Sequence, residues 1–266
     1  METIMNQKFA LGLLLATTLV TGANVMAYDD TWKTETLELD ASDLQTLQID
    51  AGAGDIDVTG IDDLDEVRVI ARFGGSEVEK SDYTLTLESR RNSAQISVFV
   101  DSGWNSNTYI DIEVHFPKEM MLEINDRSGD ISVANVNNSV EIDDRSGDVS
   151  VENVNGNLTI EDNSGDLSLR NINGAVNVED KSGDVVIVKV TGAVKVEDNS
   201  GDITLRDIGG NINVRDSSGD IDVRDAQGIV DVTDTRGDVD VDGALDFHIN
   251  KSGSGDVDSR NIGGKG

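Results

Sequence analysis

The chain contains 266 residues, of which 52 are Asp or Glu and 21 are Lys or Arg, giving a formal net charge of −31. A chain this acidic repels phosphate groups, which excludes nucleic-acid binding through basic patches and polybasic docking on an anionic membrane. The absence of cysteine from the sequence excludes disulfides, Cys-ligated metals and a lipidated N-terminal cysteine. Hydrophobic residues make up 37 % of the chain, which is enough to build a core.

The N-terminal segment has the pattern of a secretory signal peptide. Lys8 precedes an apolar run from Phe9 to Val20, and small, weakly polar residues follow as far as Ala27. This run is shorter than the ~20 residues that cross a bilayer, and no later segment reaches that length, so no membrane span is predicted. We expect cleavage after Ala27, removal of residues 1–27, and export to the periplasm or the cell exterior.

Residues 28–127 alternate between apolar and polar side chains, the pattern of half-buried β-strands. Most aromatic residues of the chain lie in this region, namely Trp32, Phe73, Tyr83, Phe99, Trp104, Tyr109 and Phe116. We expect these side chains to build a thicker, sandwich-like core. The region is therefore predicted to be an N-terminal β-rich cap on the segment that follows.

Residues 128–266 follow an 18-residue repeat. Ser-Gly-Asp recurs at a constant interval, with Arg236 replacing the serine once, and its Asp lies at positions 130, 148, 166, 184, 202, 220, 238 and 256. Counted from this Asp, offsets +1, +3, +6, +10 and +12 are apolar, as in Val149, Val151, Val154, Leu158 and Ile160. Gly, Asn and Asp lie between the apolar stretches, where tight turns need them. Each repeat therefore predicts two short strands and two turns.

Two architectures place two strands in 18 residues: an antiparallel meander, and a parallel β-solenoid in which each repeat is one coil stacked on the last. Hairpin tips tolerate insertions, whereas a coil must close a full circuit. Seven consecutive intervals contain no net insertion or deletion. We therefore predict an all-β, parallel β-solenoid (β-helix) of seven full coils and a partial one. The seventh coil is irregular, because its glycine comes early as Gly243 and its apolar residues shift to Leu245, Phe247 and Ile249.

The sequence resembles the bacterial "putative adhesin" β-strand-repeat family, a domain of unknown function in exported and envelope proteins. The resemblance rests on Ile49-Asp-Ala-Gly-Ala-Gly-Asp-Ile-Asp-Val58, on Ile112-Glu-Val-His-Phe-Pro-Lys118 followed by Leu122-Glu-Ile124, and on the serial Ser-Gly-Asp coils. It covers nearly all of the chain after residue 27. It implies a β-solenoid envelope protein, with adhesion as a family label, and it supplies no catalytic residues.

Two columns of Asp flank each Asp-x-Ser-Gly-Asp corner, at offsets 0 and +14, as in Asp144 and Asp148 or Asp162 and Asp166. The simpler interpretation is that each Asp accepts backbone N–H bonds at its turn and stays solvated. The alternative is weak, non-stoichiometric stabilisation by calcium, because oxygen-rich clusters suit this ion and stacked carboxylates repel one another. No cofactor is predicted, and no residue is assigned as a metal ligand.

Catalytic residues are not predicted either. The chain has only two histidines, His115 and His248, and neither falls in a metal or triad spacing. Paired carboxylates recur identically on every coil, whereas a catalytic site is normally unique. Arg236-Gly237-Asp238 spells a cell-attachment tripeptide but is the repeat's own corner. Val186 and Val188 point outward in the strand alternation, a weak indication of a partner contact.

These patterns predict a non-enzymatic, exported β-solenoid that presents an acidic face to an envelope or surface component, either protein or glycan. The alternative is a polysaccharide-binding or polysaccharide-active β-helix protein, which a unique cleft with non-repeating carboxylates would favour. A third interpretation is end-to-end assembly into filaments through the terminal strand edges.

Overall fold

A computed structural model describes residues 31–101 and 107–263, and within them the protein is all-β apart from one turn of 3₁₀ helix at Lys80–Asp82. The strands are β1 (Lys33–Asp40), β2 (Thr46–Ala51), β3 (Ile56–Ile61), β4 (Glu66–Gly74), β5 (Tyr83–Arg90), β6 (Ser93–Val100), β7 (Tyr109–Pro117), β8 (Met121–Asn125), β9 (Ile131–Val136), β10 (Val140–Asp143), β11 (Val149–Val154), β12 (Leu158–Glu161), β13 (Leu167–Ile172), β14 (Val176–Glu179), β15 (Val185–Val190), β16 (Val194–Asp198), β17 (Ile203–Ile208), β18 (Ile212–Asp216), β19 (Ile221–Ala226), β20 (Ile229–Arg236), β21 (Val239–Ala244), β22 (Asp246–Ser254) and β23 (Val257–Ile262). The predicted signal peptide and Trp104 lie outside the described residues.

The strands form two sheets that the chain visits alternately. The first sheet has the order β1-β4-β7-β3-β9-β11-β13-β15-β17-β19-β21-β23, and the second has the order β22-β20-β18-β16-β14-β12-β10-β8-β2-β6-β5. From β8 and β9 onward every pairing is parallel, and Val149 pairs with Leu167 just as Leu158 pairs with Val176, one 18-residue repeat further on. This pairing confirms the parallel β-solenoid and excludes the antiparallel meander.

The apolar positions of the repeat form a core between the two sheets. Val149, Val151 and Val154 on β11 are buried, as are Leu158 and Ile160 on β12. The residue at offset +5 has a left-handed backbone conformation in each full coil. This interrupts the strand alternation, so the apolar residues at offsets +3 and +6 both face the core. The residues at offset +5 are Asn135, Asn153, Asn171, Lys189, Asp207, Asp225 and Gly243, with φ of 55–87°. Asn and Asp tolerate this conformation best among residues with side chains.

The early glycine of the seventh coil therefore occupies a regular position. Gly243 has φ 87° at the offset that Asn or Asp fills in most other coils. The shift comes afterwards, because Ile229 pairs with Asp246, 17 residues on, and the register of β20 and β22 changes between Asp234 and Arg236. Arg236 pairs with Ser254, 18 residues on, so the irregularity within β22 restores the 18-residue spacing.

The N-terminal region departs from chain order. The coil formed by β2 and β3 lies between the coil of β6 and β7 and the coil of β8 and β9, and all of these pairings are parallel. Among the described strands, the antiparallel pairs are β1 with β4, β4 with β7 and β5 with β6, and they close this end of the ladder. The parallel ladder therefore includes strands that precede the repeat. The division at residues 127 and 128 marks the start of the repeat, and as a domain boundary it stays a prediction.

The aromatic core of this end is smaller than predicted. Phe73, Phe116 and Tyr83 are buried, and Tyr83 meets the Phe73 ring edge-on at 4.8 Å between centroids. Trp32, Phe99 and Tyr109 are only half-buried. The prediction is wrong for Phe99 because it alternates with the buried Val98 and so lies on the outer side of β6, where the Arg127 guanidinium lies 5.0 Å from its ring centroid.

Candidate functional site

The corner that connects the second sheet to the first is rebuilt in every coil. At its start, the Asp at offset +14 accepts hydrogen bonds from the backbone that follows: Asp162 Oδ1 from Ser164 N–H at 3.1 Å, and Asp198 Oδ1 from Ser200 N–H at 3.0 Å. Such a bond closes an Asx turn, in which the side chain replaces a backbone acceptor. The Asp-x-Ser sequence thus turns the chain through its own side chains.

The glycine of each corner allows adjacent coils to approach closely. Gly183 has φ 141°, and a Cβ on it would lie 1.8 Å from the carbonyl oxygen of Gly165 in the preceding coil. The same contact recurs at Gly147, Gly165, Gly201, Gly219 and Gly237. No side chain fits there, so the glycine is required by both backbone conformation and space.

The Asp residues that follow these glycines form a continuous hydrogen-bonded ladder on the surface. We call them the exposed column: Asp130, Asp148, Asp166, Asp184, Asp202, Asp220, Asp238 and Asp256. The backbone N–H of each donates to Oδ1 of the Asp one coil earlier at 2.8–2.9 Å. The ladder continues past Asp130 to Asp55 and from Asp55 to Asp111. These residues accept backbone bonds and stay solvated as predicted, but the N–H that they accept belongs to the next coil and not to their own turn.

The other column behaves differently. We call it the buried column, and its members, Asp126, Asp144, Asp162, Asp180, Asp198, Asp216 and Asp234, are each at most 4 % exposed. The prediction that they stay solvated is wrong, because Asp162 continues the inner face of β12 beyond Leu158 and Ile160. Among the described residues, Oδ2 of Asp144, Asp162, Asp180, Asp198 and Asp216 is buried without a hydrogen-bond partner.

Burial changes the proton affinity of this column. Loss of hydration raises the pKa of Asp126 to about 7 and that of Asp162 to about 6. The carboxylates of neighbouring coils add to this, since Asp144 and Asp180 both raise the pKa of Asp162 by repulsion. The pKa values of Asp198 and Asp216 likewise rise to about 6, with desolvation as the main cause. Asp126 therefore holds a proton close to neutral pH, and Asp162, Asp198 and Asp216 hold theirs up to about pH 6.

Beside the buried column, a groove of about 540 Å³ follows the edge of the second sheet. Its outer wall carries what we call the acidic row, four acids in register on successive coils: Asp143, Glu161, Glu179 and Glu197. Cations limit the row at one end, because Lys195 Nζ lies 2.8 Å and Arg215 Nη1 2.9 Å from Glu197 Oε1. The hydrogen bond from Lys195, together with these charges, lowers the pKa of Glu197. Within the acidic row, the charge of Glu197 is thus offset by two cations, whereas Asp143 and Glu161 lie on earlier coils.

A second, shallow groove of about 410 Å³ crosses the same outer face of this sheet, near the start of its strands. Amide, hydroxyl and small apolar side chains line it, including Asn157, Thr159, Ala175, Asn177, Ala193, Asn211 and Asn213. Asn ladders occupy the nearby corner, where Asn155 Nδ2 donates to Asn137 Oδ1 at 2.7 Å. Lys195 and Asp231 also line this groove, but most of its polar groups are uncharged hydrogen-bond donors and acceptors.

The remaining candidate residues stay apart. His115 lies on β7 beside Glu113, and His248 lies on β22 between Asp231 and Asp246, with Nδ1 2.8 Å from Asp231 Oδ1. The hydrogen bond that His248 makes to the Asp231 carboxylate raises the pKa of His248. Across the described ranges, no group of three or more His, Asp or Glu side chains is arranged to hold a metal ion.

Two short motifs also take ordinary places in the repeat. Asp238 of the Arg-Gly-Asp tripeptide donates its N–H to Asp220 Oδ1 at 2.8 Å, as in every other corner. Val186 and Val188 are half-buried on the outer side of β15, where Val188 lies in register between Arg170 and Arg206. Neither motif forms a cleft.

Comparison with known proteins finds matches among families and solved structures. The family model "Toastrack DUF4097" matches residues 71–261. A "putative lipid binding protein" from Parabacteroides distasonis is 20 % identical, with a TM-score of 0.56, over 86 % of this chain and 98 % of its own. A "putative adhesin" from Bacteroides fragilis is 16 % identical, with a TM-score of 0.47, over 87 % and 98 %. No curated protein sequence matches the chain.

Proposed function

The chain belongs to the Toastrack DUF4097 family, and from that premise we propose that it is a non-enzymatic, exported β-solenoid. Its role is to hold an acidic, repetitive surface against a component of the cell envelope, either protein or glycan. The observation that carries the proposal is the acidic row, which repeats in register across four coils beside an open groove. A repeated surface suits a partner that is itself extended or repetitive.

The charges of this surface narrow the kind of partner. Asp143, Glu161 and Glu179 are exposed. At the end of this set, Lys195 Nζ lies 3.9 Å from Glu179 Oε1. With a net charge of −31 on the chain, an anionic lipid surface would be repelled, whereas a basic protein segment or an amino sugar would be attracted. We therefore favour a cationic protein or glycan partner.

The names of the structural relatives agree with a surface role but extend to this chain only as part of the proposal. One is called a "putative adhesin" and another a "putative lipid binding protein". Export to the periplasm or the exterior is also proposed, on the signal-peptide pattern of residues 1–27. Within the described residues, no helix has the length and apolar character needed to cross a membrane.

A second candidate function is polysaccharide binding, favoured by the amide-rich groove that Asn157, Asn177 and Asn213 line. Side-chain amides in rows can donate to and accept from sugar hydroxyls along a chain. This function needs no catalytic residue. It differs from the leading proposal in the groove that is used.

The experiment compares two matched sets of substitutions in a sedimentation assay with the envelope fraction of the producing cell. The first set, Asp143→Asn, Glu161→Gln and Glu179→Gln, neutralises the acidic row. The control set, Asp222→Asn, Asp240→Asn and Asp242→Asn, removes the same charge from the outer face of the first sheet. We expect the first set to weaken binding on the order of tenfold and the control set to leave it unchanged.

Two results would redirect the proposal. Equal losses for both sets would mean that net charge, rather than the acidic row, controls binding. Loss of binding after Asn177→Ala and Asn213→Ala, with the acidic row dispensable, would favour the polysaccharide alternative. Release of soluble sugar fragments from envelope glycans by the wild-type protein would overturn its non-enzymatic character.

A further inference from the structure

The two ends of the solenoid differ in how their strands finish. At the N-terminal end the antiparallel strands β1 and β5 cover the first coils. At the other end, β22 and β23 are the last strands of their sheets among the described residues. Leu245, Ile249, Val257 and Ile262 are 37–55 % exposed there, whereas Val239 and Val241 one strand earlier are buried. The final coil thus presents core residues to solvent.

The free edge of β23 also presents backbone hydrogen-bonding groups. Val239 N–H donates to the Asp256 carbonyl at 2.9 Å, so the backbone groups of Asp256 face the preceding strand. Because successive residues of a strand direct these groups to opposite edges, those of Val257 and Ser259 face outward. Such an edge is a template for another strand.

The charges on β23 are complementary to a second copy of the same strand. Arg260 extends over the outer side, with Nη1 3.2 Å from Asp258 Oδ2 and Nη2 2.9 Å from Asp240 Oδ2. In an antiparallel pair centred on Ser259, Asp258 of each copy lies opposite Arg260 of the other. A pair centred on Val257 would instead place Asp256 opposite Asp258. Charge therefore favours the first register, since opposite charges across strands attract and like charges repel.

Backbone geometry favours the same register. A pair centred on Ser259 brings the outward N–H and carbonyl of both copies of Ser259 together. Asp258 and Arg260 then form the non-hydrogen-bonded pairs of the ladder, in which side chains approach most closely. Residues 245–266 contain three Asp and three Lys or Arg, so this end has no net charge although the chain has −31. Two such ends can meet without the repulsion that separates the acidic faces.

We propose that two copies of the chain associate tail to tail through β23, in antiparallel register about Ser259, with a two-fold axis between them. The pairing continues the first sheet across the interface and covers Val257 and Ile262. A two-fold contact uses each edge once, so the assembly stops at a dimer. The dimer presents two acidic rows, although the interface does not depend on what those rows bind.

Sedimentation velocity across micromolar concentrations tests the interface. We expect a concentration-dependent dimer, and we expect Arg260→Asp or Asp258→Arg to raise its dissociation constant about tenfold, because two symmetric attractions become repulsions. The double variant Asp258→Arg with Arg260→Asp restores opposite charges in this register and should restore the dimer. Asp222 and Arg224 form the same pattern on the interior strand β19, so Arg224→Asp is the matched control and should leave the dimer intact.

A second variant separates loss of the interface from loss of folding. Ser259→Pro removes an outward N–H but no bond to β21, and it should abolish the dimer while the circular dichroism spectrum stays unchanged. The proposal is overturned by a monomer at every concentration, or by a mass that grows beyond two copies. It is equally overturned if the charge-swapped double variant fails to dimerise while it remains folded.

Discussion

Two columns of the same amino acid run along one corner of the solenoid, four residues apart, and their environments are opposite. Asp166 of the exposed column accepts the N–H of Asp184 from the next coil and keeps its carboxylate in water. The side chain of Asp162 in the buried column accepts a bond within its own turn and leaves Oδ2 buried without a partner. Residue type alone therefore does not determine the environment of these carboxyls. Asp162 is buried because it continues the inner face of its strand, whereas Asp166 lies in solvent.

The two columns therefore have different roles, one at the surface and the other in the folded interior. The exposed column and the acidic row supply charge that a partner can reach. The buried column contributes to the turns, but ionising it costs stability, because its carboxyls lack water and repel one another. Much of the acidity of the chain is thus a property of the repeated corner rather than of a binding site.

The largest expected effect is on the pH dependence of the wild-type protein. The folded protein holds protons on Asp162, Asp198 and Asp216 up to a pKa of about 6, and on Asp126 up to about 7. The unfolded chain releases them near pH 4, so stability is lost as pH rises between these values. Allowing about 1 kcal/mol for each of the four, unfolding should cost at least ~4 kcal/mol more near pH 5 than near pH 8. Denaturant titration at both pH values measures it, and a protein less stable near pH 5 would contradict it.

The next effect concerns the glycine between the columns. Gly183→Ala should lower the free energy of unfolding by about 2–4 kcal/mol, because it combines an unfavourable φ with a backbone collision. Gly263→Ala is the matched control: φ is 102°, yet nothing lies within 4 Å of the added Cβ. It should cost only about 1 kcal/mol. Equal losses in denaturant titration would show that the close approach of the coils is not what requires glycine.

A paired substitution compares the columns directly. Asp162→Asn keeps the acceptor for Ser164 N–H, removes a buried charge, and gives the carboxylates on neighbouring coils an amide donor. It should raise the free energy of unfolding near pH 8 by about 1–3 kcal/mol. Asp166→Asn keeps its acceptor in the exposed ladder and should change stability by less than ~0.5 kcal/mol. Destabilisation by Asp162→Asn would mean that the buried charge is needed for folding.

The smallest effect is the proposed stabilisation by calcium. Weak binding to the solvated oxygens of the exposed column should raise Tm by about 1 °C in millimolar calcium relative to EDTA at matched ionic strength. The triple variant Asp166→Asn, Asp184→Asn, Asp202→Asn should lose this response, whereas Asp162→Asn should retain it. An unchanged Tm in the wild-type protein would rule the stabilisation out.

The repeat predicted most of the fold because each coil must close a full circuit. The inward positions, the parallel pairing and the irregular seventh coil all followed from constant spacing. The insertion of β2 and β3 between later coils could not follow from it, since Asp55 and Asp130 are 75 residues apart, which is not a multiple of 18. Gly54-Asp55 carried the signal, because it forms the same corner, with a carbonyl that contacts Gly129.

The burial of one Asp column could also have been predicted from the sequence. Offsets +10, +12 and +14 share one face of a strand, so the alternation that placed Leu158 and Ile160 inside also places Asp162 inside. The expectation that carboxylates remain in water outweighed that pattern. The free edge of β23 and the grooves depend on which strands cover one another, and spacing alone does not specify that.

The most direct test of this account is a side-chain carboxyl titration by carbon-13 NMR of the buried column, assigned through the Asp→Asn variants. The account predicts a pKa of about 6 for Asp162, Asp198 and Asp216 and about 7 for Asp126. Titration of all four near the ordinary Asp value of about 4 would contradict it, because the two columns would then share one environment.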